Sequence, residues 1–306
     1  MKKVLIATDK PFAKVAVDQI KSVFDQAGYE TILLEKYADQ SDFVNAVKDV
    51  DAVIIRSDKA TKEVLDASNN LKVIVRAGAG YDNIDLEAAK AKGIVAMNTP
   101  GQNSNAVAEL AIGMMIYQAR KQFNGSAGTE LKGKKIGIHA YGNVGRYVAT
   151  IAKGFGMAVY AFDPFVSKEV IEADGVKVVN SAKELYSICN YVSLHIPANE
   201  HTKESINYDL LMSMPKNATL VNTARKEVIC EDGLKKVLAE RADFYYVSDI
   251  APNCADELKE TFENRCYFTP KKMGAQTAEA NINAGIAAAT QIVNFLEKGD
   301  NTYQVN

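Results

Sequence analysis

Two glycines and an aspartate, Gly142, Gly145 and Asp163, carry the first spacing in this sequence that implies chemistry. The glycines lie in "IGIHAYGNVGRYVA", residues 136–149, and the aspartate closes "MAVYAFD". A strand that turns on glycines directly into a helix leaves backbone N–H groups pointing outward, where they bind phosphate oxygens. The usual turn is G-x-G-x-x-G, and Ala140 stands where its first glycine belongs. Gly142 allows a pyrophosphate to approach the backbone, and Gly145 allows the helix to pack closely on the strand. Ala140 suits this turn only if its φ stays negative. Asp163, 23 residues after Ala140, can accept both ribose hydroxyls and repel a 2′-phosphate, which selects NAD over NADP. The alternative is an ordinary βαβ unit whose glycines merely pack. The strand "KKIGIHA" before the turn and the amphipathic "NVGRYVATIAKGFG" after it favour NAD binding, with Val144, Val148, Ile151, Ala152 and Phe155 near one helix face.

A second candidate is Arg225, straight after the apolar run "ATLVNTA". Its planar fork of donors suits a carboxylate with an adjacent carbonyl oxygen. The bland reading is a surface ion pair with Glu227 or Asp232.

Elements of two kinds must hold these residues. Short β-branched runs alternate with amphipathic stretches: "KVLIATD", "YETILLE", "DAVIIRS", "LKVIVRAG" and "IVAMNTP" form one series. "KIGIHA", "VYAFD", "YVSLHIP", "ATLVNTA", "FYYVSDI" and "CYFTP" form a second. Continuous apolar strands separated by helices predict parallel sheets covered on both faces. Two long helical stretches, "NSNAVAELAIGMMIYQARKQ" and "TAEANINAGIAAATQIVNFLEKG", flank the second series. We therefore expect a dinucleotide-binding domain at 100–275 inserted into a substrate-binding domain made of 1–99 and 276–306. In such sheets ligands lie at the carboxyl ends of the strands, so the loops "SLHIPANEHTKESIN", "VNTARKEVICEDGL", "YVSDIAP" and "FTPKKMGAQTAEA" should carry the chemistry.

Composition sets the remaining limits. The 306 residues include 36 Lys and Arg against 38 Asp and Glu, a formal charge of −2. That balance gives no electrostatic case for nucleic acid or an anionic membrane as partner. No apolar run reaches the length of a membrane span, and "MKKVLIATD" breaks off at Asp9 too early for a signal peptide. The four cysteines form no CxxC pair, so reduced thiols and a cytoplasmic location are expected. No metal site is expected.

The ordered set "AYGNVG…FDP", "SLHIP", "NTARKEV" and "SDI", with "AGAGYDNID" and "NTPGQNSNAVAEL" before it, resembles the D-2-hydroxyacid dehydrogenase family over nearly the whole chain. The resemblance implies two doubly wound parallel-sheet α/β domains, a Rossmann NAD-binding domain inserted into a flavodoxin-like substrate domain. It also implies a homodimer through the NAD-binding domains. "VIIRSDKATKEVL" is similar to members that act on a phosphorylated substrate, so the expected reaction is NAD-dependent oxidation of D-3-phosphoglycerate to 3-phosphohydroxypyruvate, opening L-serine biosynthesis. The alternatives are a reductase of glyoxylate, hydroxypyruvate or another 2-keto acid, and an inactive NAD-sensing protein. Carried over by position, Arg56, Ser57 and Asn103 would hold the substrate, with Lys59, Ala79 and Gly80 beside them. Arg225 would take its carboxylate and carbonyl. Tyr141, Gly142, Asn143, Val144, Asp163, His195, Pro197, Thr202, Thr223, Ala224 and Gly274 would line the cofactor, and Asp249 would orient its nicotinamide carboxamide.

Three departures from the family pattern stand out. Its Glu five residues after the position of Asp249 is Cys254 here, and its His after Thr-Pro is missing from "TPKKMGA". The chain also ends after the last helical stretch, where longer members continue into a regulatory domain. Only His139, His195 and His201 exist, and none follows the Thr-Pro strand end. The base is therefore expected to be a lysine, Lys272 by its spacing to Gly274, or else Lys271. A carboxylate at position 254 would hold such a lysine protonated, so a neutral Cys254 is what a lysine base requires.

Overall fold

The computed structural model describes residues Met1–Asn306. The chain divides into two compact units, one of Met1–Asn103 with Thr277–Asn306 and one of Ser104–Gln276. Sequence placed the first break before residue 100. The backbone stays tied to the first sheet through Thr99, whose N–H donates to the Gly78 carbonyl (3.0 Å). It then turns, and the helix Ser104–Ala119 begins the second unit.

The first unit holds β1 (Lys3–Thr8), β2 (Glu30–Glu35), β3 (Ala52–Ile55), β4 (Val73–Arg76) and β5 (Val95–Asn98). They form one parallel sheet in the order β2-β1-β3-β4-β5, the flavodoxin-like order. Side chains of a strand alternate between faces, and here both faces are buried. Val4, Ile6, Ile54 and Val75 pack under the helices Lys14–Gln26 and Ala278–Lys298. Leu5, Ala7, Val53, Ile55 and Ile74 pack on the other side with Phe43, Val64 and Ala89. The terminal helix lies close because it is small where it crosses: a Cβ at Gly285 would meet Ile20 Cδ1 at 2.6 Å. Thr277 caps its start by accepting the Ala280 N–H, and Gly299, at φ 71°, ends it in the left-handed conformation.

The second unit holds β6 (Lys135–His139), β7 (Ala158–Phe162), β8 (Lys177–Val178), β9 (Tyr191–Leu194), β10 (Thr219–Asn222), β11 (Tyr245–Ser248) and β12 (Cys266–Phe268). Its parallel sheet runs β12-β11-β10-β9-β6-β7-β8. Counted within the unit this is the Rossmann order with one strand added beyond the sixth. The two-residue β8 was not legible in the sequence. The strand order reverses between β6 and β9, the position where such sheets open a crevice for a ligand. The two doubly wound parallel sheets expected from the sequence are present. No helix is long and apolar enough to cross a membrane.

Candidate active site

Six loops leave the carboxyl ends of the second sheet, and they carry the expected cofactor residues in strand order. From one side to the other stand Lys271 and Lys272 after β12, Asp249 after β11, Thr223 to Arg225 after β10, His195 after β9, the glycine turn after β6 and Asp163 after β7. Strands lie about 4.8 Å apart, so the four steps from β7 to β11 span roughly 19 Å. That is the order of length of an extended dinucleotide.

The glycine turn is built from both ends. The Ala140 N–H donates to the Phe162 carbonyl (2.9 Å), and the Tyr141 N–H donates to Asp163 Oδ2 (2.7 Å). Ala140 lies at φ 77°. The condition of a negative φ is therefore not met: the alanine adopts the left-handed conformation that a glycine would adopt without strain. Gly145 explains why the helix fits, since a Cβ there would meet the Ala140 carbonyl oxygen at 2.4 Å and Ile138 Cγ2 at 2.9 Å. Gly142 has nothing within 4 Å of a built Cβ, and no side chain caps the helix Asn143–Gly154. Its first N–H groups, at Asn143 and Val144, stay available to an anion. On that helix Val148 and Ala152 are buried as expected, but Phe155 is 42% exposed.

Asp163 does more than the sequence suggested. Besides the Tyr141 N–H, it accepts the Phe165 N–H (2.8 Å) and the Val166 N–H (3.3 Å), fixing the loop after β7. His195 and His139 sit side by side on neighbouring strands, linked by the His195 N–H to the His139 carbonyl (2.9 Å). Burial pushes the His139 imidazole down to about 4 and His195 to about 3, so both are neutral at physiological pH. His139 Nδ1 meets the Tyr186 hydroxyl (3.2 Å) and His195 Nδ1 lies 3.5 Å from Thr223 Oγ1. His195 Nε2 is buried without a hydrogen-bond partner. A buried orphan nitrogen beside the glycine turn fits a ligand hydroxyl or phosphate oxygen. The Thr202 hydroxyl is occupied by the Pro197 carbonyl (2.6 Å), closing a tight turn after β9.

Asp249 is buried at 1% exposure, and its carboxylate is fully engaged. It accepts Thr269 Oγ1–H (2.9 Å), the Met273 N–H (2.7 Å) and the Gly274 N–H (2.8 Å). These bonds fold the Thr269–Gly274 loop back over the end of β11, and that loop bears the exposed Lys271 and Lys272. Gly274 is required for the fold-back, because a Cβ would come within 3.0 Å of Asp249 Oδ2 and 3.1 Å of Val107 Cγ2. The Arg225 side chain donates Nη1–H to the Ala224 carbonyl (2.8 Å) and makes no ion pair with Glu227 or Asp232. Asp232 pairs instead with Lys235 (3.2 Å). Cys254 starts the helix Ala255–Phe262, and its N–H donates to Glu231 (3.2 Å). Burial and the Glu231 carboxylate push the Cys254 thiol up to about 11, so it is uncharged.

The first unit gathers its own candidates at the carboxyl ends of β3 and β4. Arg56 Nη1–H donates to the Lys10 carbonyl (2.9 Å), Nη2–H donates to Asn281 Oδ1 (2.6 Å), and the guanidinium lies 5.0 Å from the Phe12 ring centre. It has no ion pair with Asp58. That carboxylate accepts the Arg56 backbone N–H (3.2 Å), the Asp9 N–H (2.7 Å) and the Tyr37 hydroxyl (2.6 Å). Ser57 and Lys59 are exposed beside it, and Lys62 is taken up by Asp66 (2.5 Å). Sequence reasoning passed over Arg76, which ends β4; its Nε–H donates to the Arg56 carbonyl (3.1 Å). Gly78 makes room for it, since a Cβ there would fall 1.7 Å from Arg76 Nη1. The signal was available: Arg56 directly follows β3 and Arg76 ends β4, and adjacent parallel strands bring such ends together. Ala79 and Gly80 follow, with the Ala79 carbonyl accepting from Asn98 (2.6 Å), and Asn103 closes the unit.

Comparison with known proteins bears on the family and the fold. The profile of the D-isomer specific 2-hydroxyacid dehydrogenase catalytic domain matches residues 6–306. A D-3-phosphoglycerate dehydrogenase of Methanocaldococcus jannaschii is 37% identical over 84% of this chain and 52% of its own length. The chain thus spans about half the length of that relative. A hydroxypyruvate reductase of Thermotoga maritima is 33% identical over 88% of the chain and 92% of its own length. Among solved structures, NAD+-bound 3-phosphoglycerate dehydrogenase from Entamoeba histolytica superposes with a TM-score of 0.87 at 46% identity, covering 100% of this chain and 98% of that one. With the turn, the strand-end residues and these matches together, the chain belongs to the D-isomer specific 2-hydroxyacid dehydrogenase family.

Proposed function

We propose that this chain is an NAD-dependent dehydrogenase that oxidises D-3-phosphoglycerate to 3-phosphohydroxypyruvate. The observation that carries the cofactor half is the row of loops along the second sheet: uncapped N–H groups at Asn143 and Val144, the unpartnered His195 Nε2, and Asp163 one strand further. NAD, when bound there, supplies the hydride acceptor. Asn143 and Val144 N–H groups hold its pyrophosphate, Asp163 faces its ribose, and the Thr223–Ala224 segment with Asp249 lines the end nearer the reaction. Arg225 binds the carboxylate and carbonyl of the substrate, and Lys272 takes the hydroxyl proton as hydride leaves the same carbon.

The phosphorylated substrate is supported by the paired strand ends of the first unit. Arg56 is desolvated and has no ion-paired carboxylate, and Arg76 stands against it. A desolvated guanidinium at the carboxyl end of the sheet favours an anion such as a phosphate ester over a neutral alcohol. The rival reading, reduction of hydroxypyruvate or glyoxylate, draws on the similarity to the Thermotoga maritima reductase, which matches over nearly its full length. A homodimer through residues 104–276 belongs to the same proposal, and sedimentation tests it.

The deciding assay follows NADH appearance with D-3-phosphoglycerate beside NADH loss with hydroxypyruvate and glyoxylate. Phosphoglycerate turnover with NAD and little with NADP is expected. Turnover of only the unphosphorylated keto acids would reassign the substrate, and none with any would leave an NAD-binding protein. Arg56→Ala should raise KM for phosphoglycerate roughly 10- to 100-fold, a charge-assisted contact being worth about 1.5–3 kcal/mol, with NAD affinity unchanged.

A further inference from the structure

The opposite end of the second sheet holds a recess that the dehydrogenase reading does not use. Its floor is made by the amino-terminal ends of the strands: Tyr191 begins β9, Thr219 begins β10, Tyr245 begins β11, and Arg265 precedes β12. Strands rise about 3.3 Å per residue, so the recess lies roughly 15 Å from the glycine turn, at the other end of β6. Its volume is about 600 Å³, large enough for a small metabolite.

Its charge is one-sided. Lys121, Lys134, Lys216 and Arg265 line it, and no Asp or Glu does. Arg265 explains itself, because its Nη1 donates to the Leu238 and Arg241 carbonyls, both at 2.7 Å, where a helix ends. The three lysines do not. None makes an ion pair, and none donates to a helix carbonyl. Lys134 Nζ reaches only the Thr129 hydroxyl (2.7 Å) and lies 6.0 Å from the Tyr191 ring centre. Burial lowers its pKa, and the nearby Glu130 carboxylate offsets that only in part. The wall bearing Lys121 is held in an unusual shape: Lys121, Gln122 and Phe123 are consecutive left-handed residues at φ 50°, 55° and 56°. Such residues persist only where the surroundings fix them.

Three unpaired ammonium groups from three separate segments, converging on one cavity with neutral Asn, Ser and Thr donors between them, repel one another until an anion enters. A lone phosphate fills little of this volume and reaches few of them. We propose that the recess binds a small polyanion, a molecule carrying two or more phosphate or carboxylate groups, independently of the cofactor edge.

The test is calorimetric titration of inorganic pyrophosphate into the full chain holding saturating NAD, which keeps the probe off the glycine turn. Binding that weakens with added salt is expected, as is a weaker response to inorganic phosphate. Lys134→Met and Lys216→Gln should each loosen pyrophosphate roughly tenfold or more while NAD titrates as in wild type, which also certifies the fold. Lys216 is exposed, so its variant separates binding from stability. The proposal is overturned by no heat at millimolar pyrophosphate, by equal affinity in the double variant, or by displacement with NAD. It is also overturned if pyrophosphate binding tracks self-association in sedimentation, since the lysines would then serve a second copy of the chain.

Discussion

A group that takes a hydroxyl proton while hydride departs must itself be unprotonated, and a solvated lysine has a pKa near 10.4. Lys272→Ala should lower kcat by roughly 10²–10⁴, the usual share of a general base, and leave NAD binding intact. Full activity in that variant with loss in Lys271→Ala would move the role one residue back, and activity in the double variant would end it. The uncharged Cys254 thiol matters here because Glu231 already stands beside it. Cys254→Glu would add a second negative charge and should shift the pH–rate profile upward. Ala140 gives a second residue-scale expectation. Its left-handed backbone costs about 1–2 kcal/mol, and glycine would forfeit about 0.5–1 kcal/mol in chain entropy. Ala140→Gly should therefore raise the urea-unfolding free energy by about 0.5 kcal/mol, and a loss of stability would show that the alanine methyl group contributes packing.

Among the elements, the contact between β6 and the helix Asn143–Gly154 is the one with no slack. A methyl group at Gly145 collides with backbone, the Ala140 carbonyl oxygen at 2.4 Å, which cannot rotate away. Gly145→Ala should push the helix off the strand, cost about 1–3 kcal/mol as overpacking does, and weaken NAD binding because the phosphate-facing N–H groups move with the helix. Gly142→Ala is the control, since its built Cβ meets nothing within 4 Å. Equal stability losses in the two variants would contradict the geometry. The loop after β12 depends on another element contact, the three hydrogen bonds accepted by Asp249. Through them β11 positions the lysines that follow β12.

At the scale of the molecule, each unit has a core on both faces of its own sheet, and the two histidines with lowered pKa values, buried His139 and half-buried His195, both belong to the second. Their folded pKa values, about 4 for His139 and about 3 for His195, lie below the unfolded value near 6.5. Below pH 6.5 the unfolded chain binds protons that the folded chain refuses, so this stability is complete above 6.5 and falls as pH drops toward 4 and then 3. Each histidine should remove about 2 kcal/mol between pH 6.5 and 5, at 1.36 kcal/mol per unit. Urea unfolding followed by hydrogen exchange should place that loss in β6–β12 rather than β1–β5. A second unit equally stable at pH 7 and pH 5 would mean that the imidazoles are solvated.

The sequence by itself determined the parallel sheets, because strands buried on both faces must be continuously apolar, as "DAVIIRS" and "ATLVNTA" are. It also determined the glycine turn and the acidic residue after β7, since phosphate and ribose contacts depend on local spacing along one βαβ unit. What it could not decide were matters of non-local approach. The sign of φ at Ala140 follows from Asp163 holding the Tyr141 N–H across two strands. Arg76 meets Arg56 only because β3 and β4 are neighbours, the two arginines lying 20 positions apart in the chain. Asp249 reads in sequence as a strand-end acid, yet it is a buried acceptor for a loop about 25 residues on. The recess of unpaired lysines draws on segments near residues 121, 134 and 216. Pairings across such separations are set by strand order, and strand order exists only in the folded chain.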